Sequence, residues 1–489
     1  MNKLINRIKN IKNIEYYFVS IILILAFFVR LYKINNPVAD WHSFRQADTA
    51  SVSRIYVEEG INLLFPKYHD LSSTQSRIFN PEGYRFVEFP IFNAFHAILA
   101  SNFQFLNLEV WGRLVSVFSS LFSTYFLFLL GKKFMGKWRG VLAAFFFAFL
   151  PFNIYFSRVI LPEPMAIAFA LSGVWFFVKF LDDEKSLLLY LSGLLFTTSL
   201  LIKPFTIFYS IPLIYLLHKK YNLKKITKNS KLFIKLLVFA NIVLIPFFAW
   251  RAWINQYPAG IPEWKWMFNG DEIRFRPAFW RWIFGERLGK LILGFWGLVP
   301  FSFGFLKTKR TSLFNHFFLL GMFLYVIIFA TANVRHDYYQ TMIIPAICLV
   351  LAQGTLYMWQ TREFKSILSR SLLIFSLASM FGVGAYQAKE FYKINHPEII
   401  STGQVVNKIT PKDALIIAPY NGDTAFLYHT KRRGWPVVDT DFDTLIDRGA
   451  DYYVSVIQND SDTLMLMERF KVVEKTADYI ILDLHQSKE

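Results

Sequence analysis

Two carboxylates have neighbours that fit them for chemistry. Asp48 lies in Trp41-His42-Ser43-Phe44-Arg45-Gln46-Ala47-Asp48-Thr49-Ala50, and Glu88 in Phe86-Val87-Glu88-Phe89-Pro90. A carboxylate beside an acceptor hydroxyl can take its proton as the oxygen attacks, which is the general-base step of an inverting displacement. Asp48 suits that step. It also reads as a helix cap, because an Asp ahead of a helical run satisfies orphan backbone donors. Glu88 sits among apolar neighbours, where an unpaired carboxylate costs about 2.5 to 3.5 kcal/mol at membrane depth and less at the interface. An ordinary surface glutamate is the alternative for Glu88. Glu163, in Leu161-Pro162-Glu163-Pro164, opens an apolar run, where the helix dipole accounts for it as readily as a functional role does.

The cations at the ends of apolar runs are Arg45, Arg54, Arg158, Lys203, Arg251 and Arg335. A departing phosphate needs such groups as its charge develops, and either a planar Arg fork or a point-charge Lys serves. Side chains that snorkel to anchor a helix explain any one of them, but explain the whole set less well. His42, His69 and His336 are candidate metal ligands beside Glu88, although no close spacing such as HExxH is present. The aromatic run Trp250, Trp253, Tyr257, Trp264, Trp266, Trp280 and Trp282 could stack on sugar rings, and an interfacial aromatic belt explains most of it equally well.

The elements that must position these residues are set by the solvent. With 54% hydrophobic and 19% aromatic residues in 489, and a mean hydropathy of +0.34, the chain has more apolar surface than one soluble core can hide. That points to lipid, in which a spanning helix takes about 20 apolar residues. About eleven such segments are expected, near 17–32, 110–130, 140–157, 164–181, 186–202, 204–218, 232–250, 288–305, 312–331, 338–358 and 367–386. The first follows Lys3, Arg7, Lys9 and Lys12 without a small-residue cleavage site, and reads as an uncleaved helix.

The net charge of +18 does not indicate nucleic acid, because the lysines and arginines fall in alternate loops. Lys132, Lys133, Lys137 and Arg139 form one cluster; Lys219, Lys220, Lys224, Lys225 and Lys228 a second; Lys307, Lys309 and Arg310 a third; Arg362 and Lys365 a fourth. The positive-inside rule makes those loops cytoplasmic and puts residues 34–109, 251–287 and the tail outside. The lone cysteine, Cys348, allows no disulfide framework and no thiolate metal site.

In the first outer loop, Gln46–Glu59 predicts a helix, 66–84 a loop, and the run after Pro90 an interfacial helix. Past 387 the pattern changes. Ala414–Pro419, Tyr452–Ile457 and Tyr479–Leu484 predict buried strands, and Asp441–Arg448 a short helix. The expected fold is an all-α polytopic membrane domain over 1–386 with a small extracytoplasmic α/β domain over 387–489.

The order of these features resembles the C-type membrane glycosyltransferases (GT-C) of the protein O-mannosyltransferase and lipid A aminoarabinose transferase group, over roughly residues 15–390. The resemblance implies that Asp48 is the catalytic base. It implies that Glu88, in Glu88-Phe89-Pro90, approaches the donor or a metal, with His336 as a further metal candidate, and that Glu163 is the acidic residue of the second outer loop. Lys203 matches a lysine that holds the carrier phosphate. Arg335 and Tyr338 match a pair near the same phosphate, to which Arg45 and Arg54 are added here. Thr49 stands where the family usually has Glu, and Phe89 where the aminoarabinose transferases have Lys, so metal dependence and sugar identity do not carry over.

The expected activity is an inverting transfer of a hexosyl or pentosyl group from a polyprenyl-phosphate carrier to an acceptor hydroxyl. The acceptor would be a cell-envelope lipid, glycan or protein at the outer face of the cytoplasmic membrane, and a divalent cation is a candidate cofactor. A lipid-linked oligosaccharide ligase or polymerase is the alternative. A transporter fits less well, because the polar residues cluster at outer helix ends and not at a midplane site between repeats.

Overall fold

The computed structural model describes residues 13–226, 228–307 and 313–488. The N-terminal cluster Lys3, Arg7, Lys9 and Lys12 lies outside them, as do Lys309, Arg310 and the side chain of Lys225. The chain forms two compact units. One comprises Met1–Ile34, Leu114–Ala249 and Trp264–Glu390; the other comprises Asn35–Arg113, Trp250–Glu263 and Phe391–Glu489. Against the expected boundary at 386, the second unit takes in the first long loop as well as the tail.

The first unit is helical. Five helices in the described residues are long and apolar enough to cross a membrane: Leu108–Met135, Glu163–Asp183, Ser230–Ile254, Asp337–Gln360 and Ser366–Tyr392. Ser186–Ile202 and Phe314–Ile328 are apolar but shorter. Several of the eleven expected segments are broken, and proline marks some of the breaks, because it lacks an N–H and clashes with the preceding turn. The 140–157 segment divides at Leu150 into Lys137–Phe149 and Pro151–Phe156. The 204–218 segment begins as a 3₁₀ turn, Pro204–Ser210, before Ile211–Tyr221. The 288–305 segment is a π-helical stretch, Arg281–Ile292, then left-handed Gly294 and Phe295, then Leu298–Leu306.

Helices in this unit meet through hydroxyls and glycines. The Ser199 hydroxyl donates to the Ala166 carbonyl and that of Ser192 to the Gly173 carbonyl, both at 2.7 Å. A Cβ on Gly354 would lie 1.7 Å from the Pro300 carbonyl oxygen, and one on Gly304 would lie 2.0 Å from that of Val350. Small residues let backbones approach this closely, which gains packing where lipid supplies no hydrophobic drive.

The second unit holds the sheet. Its strands are β1 (Leu415–Ile417), β2 (Arg433–Trp435), β3 (Ala450–Ser455), β4 (Phe470–Lys475) and β5 (Ile480–Ser487), in the order β2-β1-β3-β5-β4. The first three run parallel, and β5 is antiparallel to both β3 and β4. The three expected strands are β1, β3 and β5. The three-residue β2 and the edge strand β4 carry too weak a pattern to read. The expected helix is Phe442–Asp447, with Asp441 accepting from the Thr444 N–H as its cap. Ile417, Trp435, Leu445, Tyr453, Leu466 and Ile480 form the core, and Leu71 from the first loop packs in the same cluster.

That loop is attached by backbone hydrogen bonds: Gly434 N–H donates to the His69 carbonyl at 3.0 Å, and Leu71 N–H to the Gly434 carbonyl at 2.8 Å. Residues 69–71 thereby extend the sheet beyond β2, which is why the first loop belongs to the unit of the tail. In the same unit, helix Ser43–Glu59 is almost wholly buried from Arg45 to Tyr56, and Ile91–Asn102 follows Pro90.

Gly354→Ala is expected to destabilise the helical unit by about 1 to 3 kcal/mol through overpacking. Thermal unfolding in detergent checks this, and an unchanged Tm would show that the helices do not approach so closely.

Candidate active site

Asp48 lies inside helix Ser43–Glu59, which starts three residues earlier than expected, so it is not the cap of that helix. Its side chain is 2% exposed and both oxygens have partners. Arg85 Nη2 donates to Oδ2 at 2.6 Å, and the Thr424 hydroxyl donates to Oδ1 at 2.7 Å. A charge withdrawn from water persists only when paired and hydrogen-bonded. Arg85 supplies the pairing, and its ring partner is Tyr68, 4.9 Å from the guanidinium.

Glu88 is not an isolated surface carboxylate, because Arg45 pairs with it. The two ion pairs line one small cavity with Asn93, and Thr49, Val52, Pro66 and Pro90 complete its wall. Asn93 donates to the Thr49 carbonyl at 2.7 Å, which anchors helix Ile91–Asn102 to helix Ser43–Glu59.

Asp70 adds a third carboxyl to this neighbourhood. It accepts from the Ser72 N–H at 2.7 Å and from the Tyr68 hydroxyl at 3.2 Å. Burial lifts its pKa to about 7 against the pull of the Ser72 hydrogen bonds; the charge of Asp48 adds to the rise and Arg85 opposes it. Beside it, burial and the neighbouring guanidinium of Arg54 hold His69 well below the usual histidine range, so the ring is neutral.

Arg54 is held within the same unit. It donates to the Tyr428 carbonyl at 2.7 Å and to Glu109 at 3.1 Å, and its guanidinium lies 3.7 Å from the Tyr428 ring centroid. Tyr428 also donates to Glu109, at 2.6 Å.

The remaining expected residues belong to the helical unit. Glu163 begins helix Glu163–Asp183, and Lys203 follows Ser186–Ile202, which ends where Pro204 cannot continue it. Both are buried, and Lys203 Nζ is 2.8 Å from Glu163 Oε1. Arg335 is exposed, 3.4 Å from Asp271 and facing the Trp266 ring at 5.6 Å. Tyr338 is buried, packed on Tyr339 and stacked with His336 at centroid distances of 4.5 and 5.5 Å. Arg287, not anticipated, lies 3.5 Å from Asp337 and donates to the Val334 carbonyl at 2.9 Å.

Among the described residues no group of three or more His, Cys, Asp or Glu is placed to hold a metal ion. Glu88 faces the Arg45 guanidinium, and His336 stacks on Tyr338.

Residues 90–250 match the family described as dolichyl-phosphate-mannose-protein mannosyltransferase. ArnT from Cupriavidus metallidurans, in a crystal structure bound to undecaprenyl phosphate, superposes with a TM-score of 0.63 over 97% of this chain and 99% of its own, at 12% identity. The fold is that of the C-type membrane glycosyltransferases. The Archaeoglobus fulgidus oligosaccharyltransferase, in a complex with Zn and sulfate, superposes with a TM-score of 0.57 over 91% of this chain and 69% of its own, also at 12% identity. No curated protein matches the chain by sequence.

Within this C-type fold the structure adds Arg85, Asp70 and Thr424 around Asp48. Arg85, in Gly83-Tyr84-Arg85-Phe86, had a usable signal: it lies in a loop expected outside, where the positive-inside bias leaves few reasons for a cation. Asp70 and Thr424 had none, as each is a common loop residue.

Because native Asp70 keeps a proton that the unfolded chain releases near pH 4, its contribution to stability is full below that pH and is lost as pH rises through about 7. Asp70→Asn is expected to flatten the fall in stability between those pH values by on the order of a few kcal/mol. Tm measured against pH for both proteins decides it, and identical slopes would place Asp70 in an ordinary, solvated environment.

Proposed function

We propose that this chain is a glycosyltransferase that moves a sugar, with inversion, from a polyprenyl-phosphate carrier to an acceptor hydroxyl at the outer face of a cytoplasmic membrane. The observation that carries this reading is the buried Asp48 carboxylate in a polar cavity, ion-paired to Arg85 and within a fold shared with ArnT. An ionised carboxylate has about four acceptor positions. Two are used by Arg85 and Thr424, which leaves others for the proton of an acceptor hydroxyl.

In this reading Asp48 is the general base, and Glu88, steadied by Arg45, orients the donor. Lys203 and Arg335 remain the proposed ligands of a carrier phosphate. Lys203 is a compact charge and already sits against the carboxylate of Glu163, while Arg335, more than half exposed, offers a planar fork with Tyr338 as its neighbour in sequence. A phosphate binding Lys203 would compete with the Glu163 carboxylate, which is buried and otherwise loses its cation. Arg54 contacts Glu109 and the Tyr428 ring beside helix Ser43–Glu59.

The crystal structure of ArnT with undecaprenyl phosphate supports a polyprenyl-phosphate donor here, and the match of residues 90–250 to a family named for dolichyl-phosphate-mannose supports the same class of carrier. A second reading, transfer of a whole lipid-linked oligosaccharide, draws on the likeness to the archaeal oligosaccharyltransferase. The mass of the product separates the two, since a single sugar and a glycan differ by many sugar units.

Asp48→Asn is expected to fold and to lose about 10²- to 10⁴-fold in rate. The assay is release of polyprenyl phosphate from a panel of polyprenyl-phosphate sugars by purified protein in lipid, with acceptor-containing membranes present. Wild-type release from no donor would remove the glycosyltransferase reading, and a fully active Asp48→Asn would remove Asp48 as the base.

A further inference from the structure

The tail contributes an atom to the site. Thr424 follows β1 in the loop Tyr420-Asn421-Gly422-Asp423-Thr424, and its buried hydroxyl is 2.7 Å from Asp48 Oδ1. The same hydroxyl is 3.1 Å from the Phe44 carbonyl, one turn earlier in helix Ser43–Glu59. The loop is tied down beside it: Asp423 accepts from the Ser43 hydroxyl at 2.7 Å and from the Ala425 N–H at 2.8 Å. Strand order points to the same place. In β2-β1-β3 the parallel strands flank β1 on both sides, so the loop after β1 leaves the carboxyl edge beside a switch in strand order, where open α/β sheets bind ligands.

We propose that Thr424 is a positioning residue for Asp48, through which the tail completes the catalytic apparatus of the C-type fold; this rests on the glycosyltransferase reading above. A threonine hydroxyl has one proton and two acceptor positions. While Asp48 is ionised, the hydroxyl donates to Oδ1, and with Arg85 on Oδ2 it fixes the plane of the carboxylate. Once Asp48 has taken the proton of the acceptor, the hydroxyl can turn to the Phe44 carbonyl and accept from Asp48. No heavy atom moves, so the base gains its proton without leaving a buried polar group unsatisfied. Only O–H rotors change: as the acceptor oxygen bonds to the anomeric carbon, its proton passes to the Asp48 carboxylate, and the bond from the anomeric carbon to the carrier phosphate breaks to release polyprenyl phosphate.

The charged and titratable groups around Asp48 are Arg85, Asp70, Tyr68 and Asp423, with the Arg45–Glu88 pair across the cavity. None of them is altered by a change at Thr424, so an effect on the base can be assigned to the lost hydroxyl. Removing a donor to the ionised form disfavours that form, so the acid limb of the rate profile moves to higher pH.

The test compares Thr424→Val, Thr424→Ala and Thr424→Ser with wild type in the polyprenyl phosphate release assay across pH, in the full-length protein. The valine and alanine variants are expected to lose about 10- to 100-fold in kcat, the range for a hydrogen bond to a charged group. Their KM for the donor should stay within about twofold, because the contact acts on the base and not on donor binding. Their acid limb should rise by about one pH unit, and serine should restore both rate and limb. Valine or alanine variants with wild-type kcat and an unmoved limb would overturn the proposal. Equal losses in valine, alanine and serine would also overturn it, by showing a packing role for the side chain. Inactive wild type would count against the glycosyltransferase reading instead, and is distinguishable because no variant comparison is needed to see it.

Discussion

A carboxylate taken out of water must meet a cation and donors, or it loses its charge. That constraint organises the second unit. Asp48 is buried in the middle of helix Ser43–Glu59, so its partners must be brought to it. Arg85 arrives from beyond the 66–84 loop, and Thr424 from the loop after β1. The loop can deliver Arg85 only because residues 69–71 are held against β2, and the tail can deliver Thr424 only because Asp423 and Ser43 hold its loop to the start of the helix. Helix, loop and tail, already joined through the sheet, each supply a part of one buried charge's surroundings.

The helical unit obeys the same rule in a different solvent. In lipid every polar group needs an internal partner. Lys203 and Glu163 pair at adjoining helix ends, the Ser192 and Ser199 hydroxyls bond to backbone carbonyls of the neighbouring helix, and glycine allows Leu298–Leu306 and Ile344–Gln360 to approach until carbonyl oxygens nearly touch Cα atoms. Prolines that would break a soluble helix are tolerated here, and divide long apolar runs into short helices joined by turns. Counting apolar runs therefore overstates the number of long helices.

Fold and function stand on different supports. A likeness at 12% identity establishes the C-type architecture, which ArnT and an oligosaccharyltransferase share, and a shared fold does not fix a function. What the chain does depends on its own side chains. The pairs Asp48–Arg85 and Arg45–Glu88 make one polar cavity in the second unit, and Lys203, Arg335 and Arg287 give the helical unit its cations near acidic partners.

Composition was enough to show that lipid is the solvent, because surface area scales with residue type whatever the fold. Periodicity placed helix Gln46–Glu59 to within a few residues, the strands at 415, 450 and 480, and the capped helix after Asp441, since each is a local pattern set by neighbours in the chain. Glu88 stood out because an acid among apolar residues is costly, and Asp48 because a carboxylate in the first outer loop suits a general base. The rest was decided at long range. Helix Ser43–Glu59 puts Asp48 past its first turn and not at its cap, and the guanidinium beside Glu88 belongs to a residue 43 positions away. Thr424 is 376 positions from the carboxylate it touches, and nothing in Asn421-Gly422-Asp423-Thr424 distinguishes it from any other turn. Hydrogen bonds and ion pairs act over about 3 Å in space, so separation along the chain carries no trace of them until the sheet, the loop and the helix are assembled.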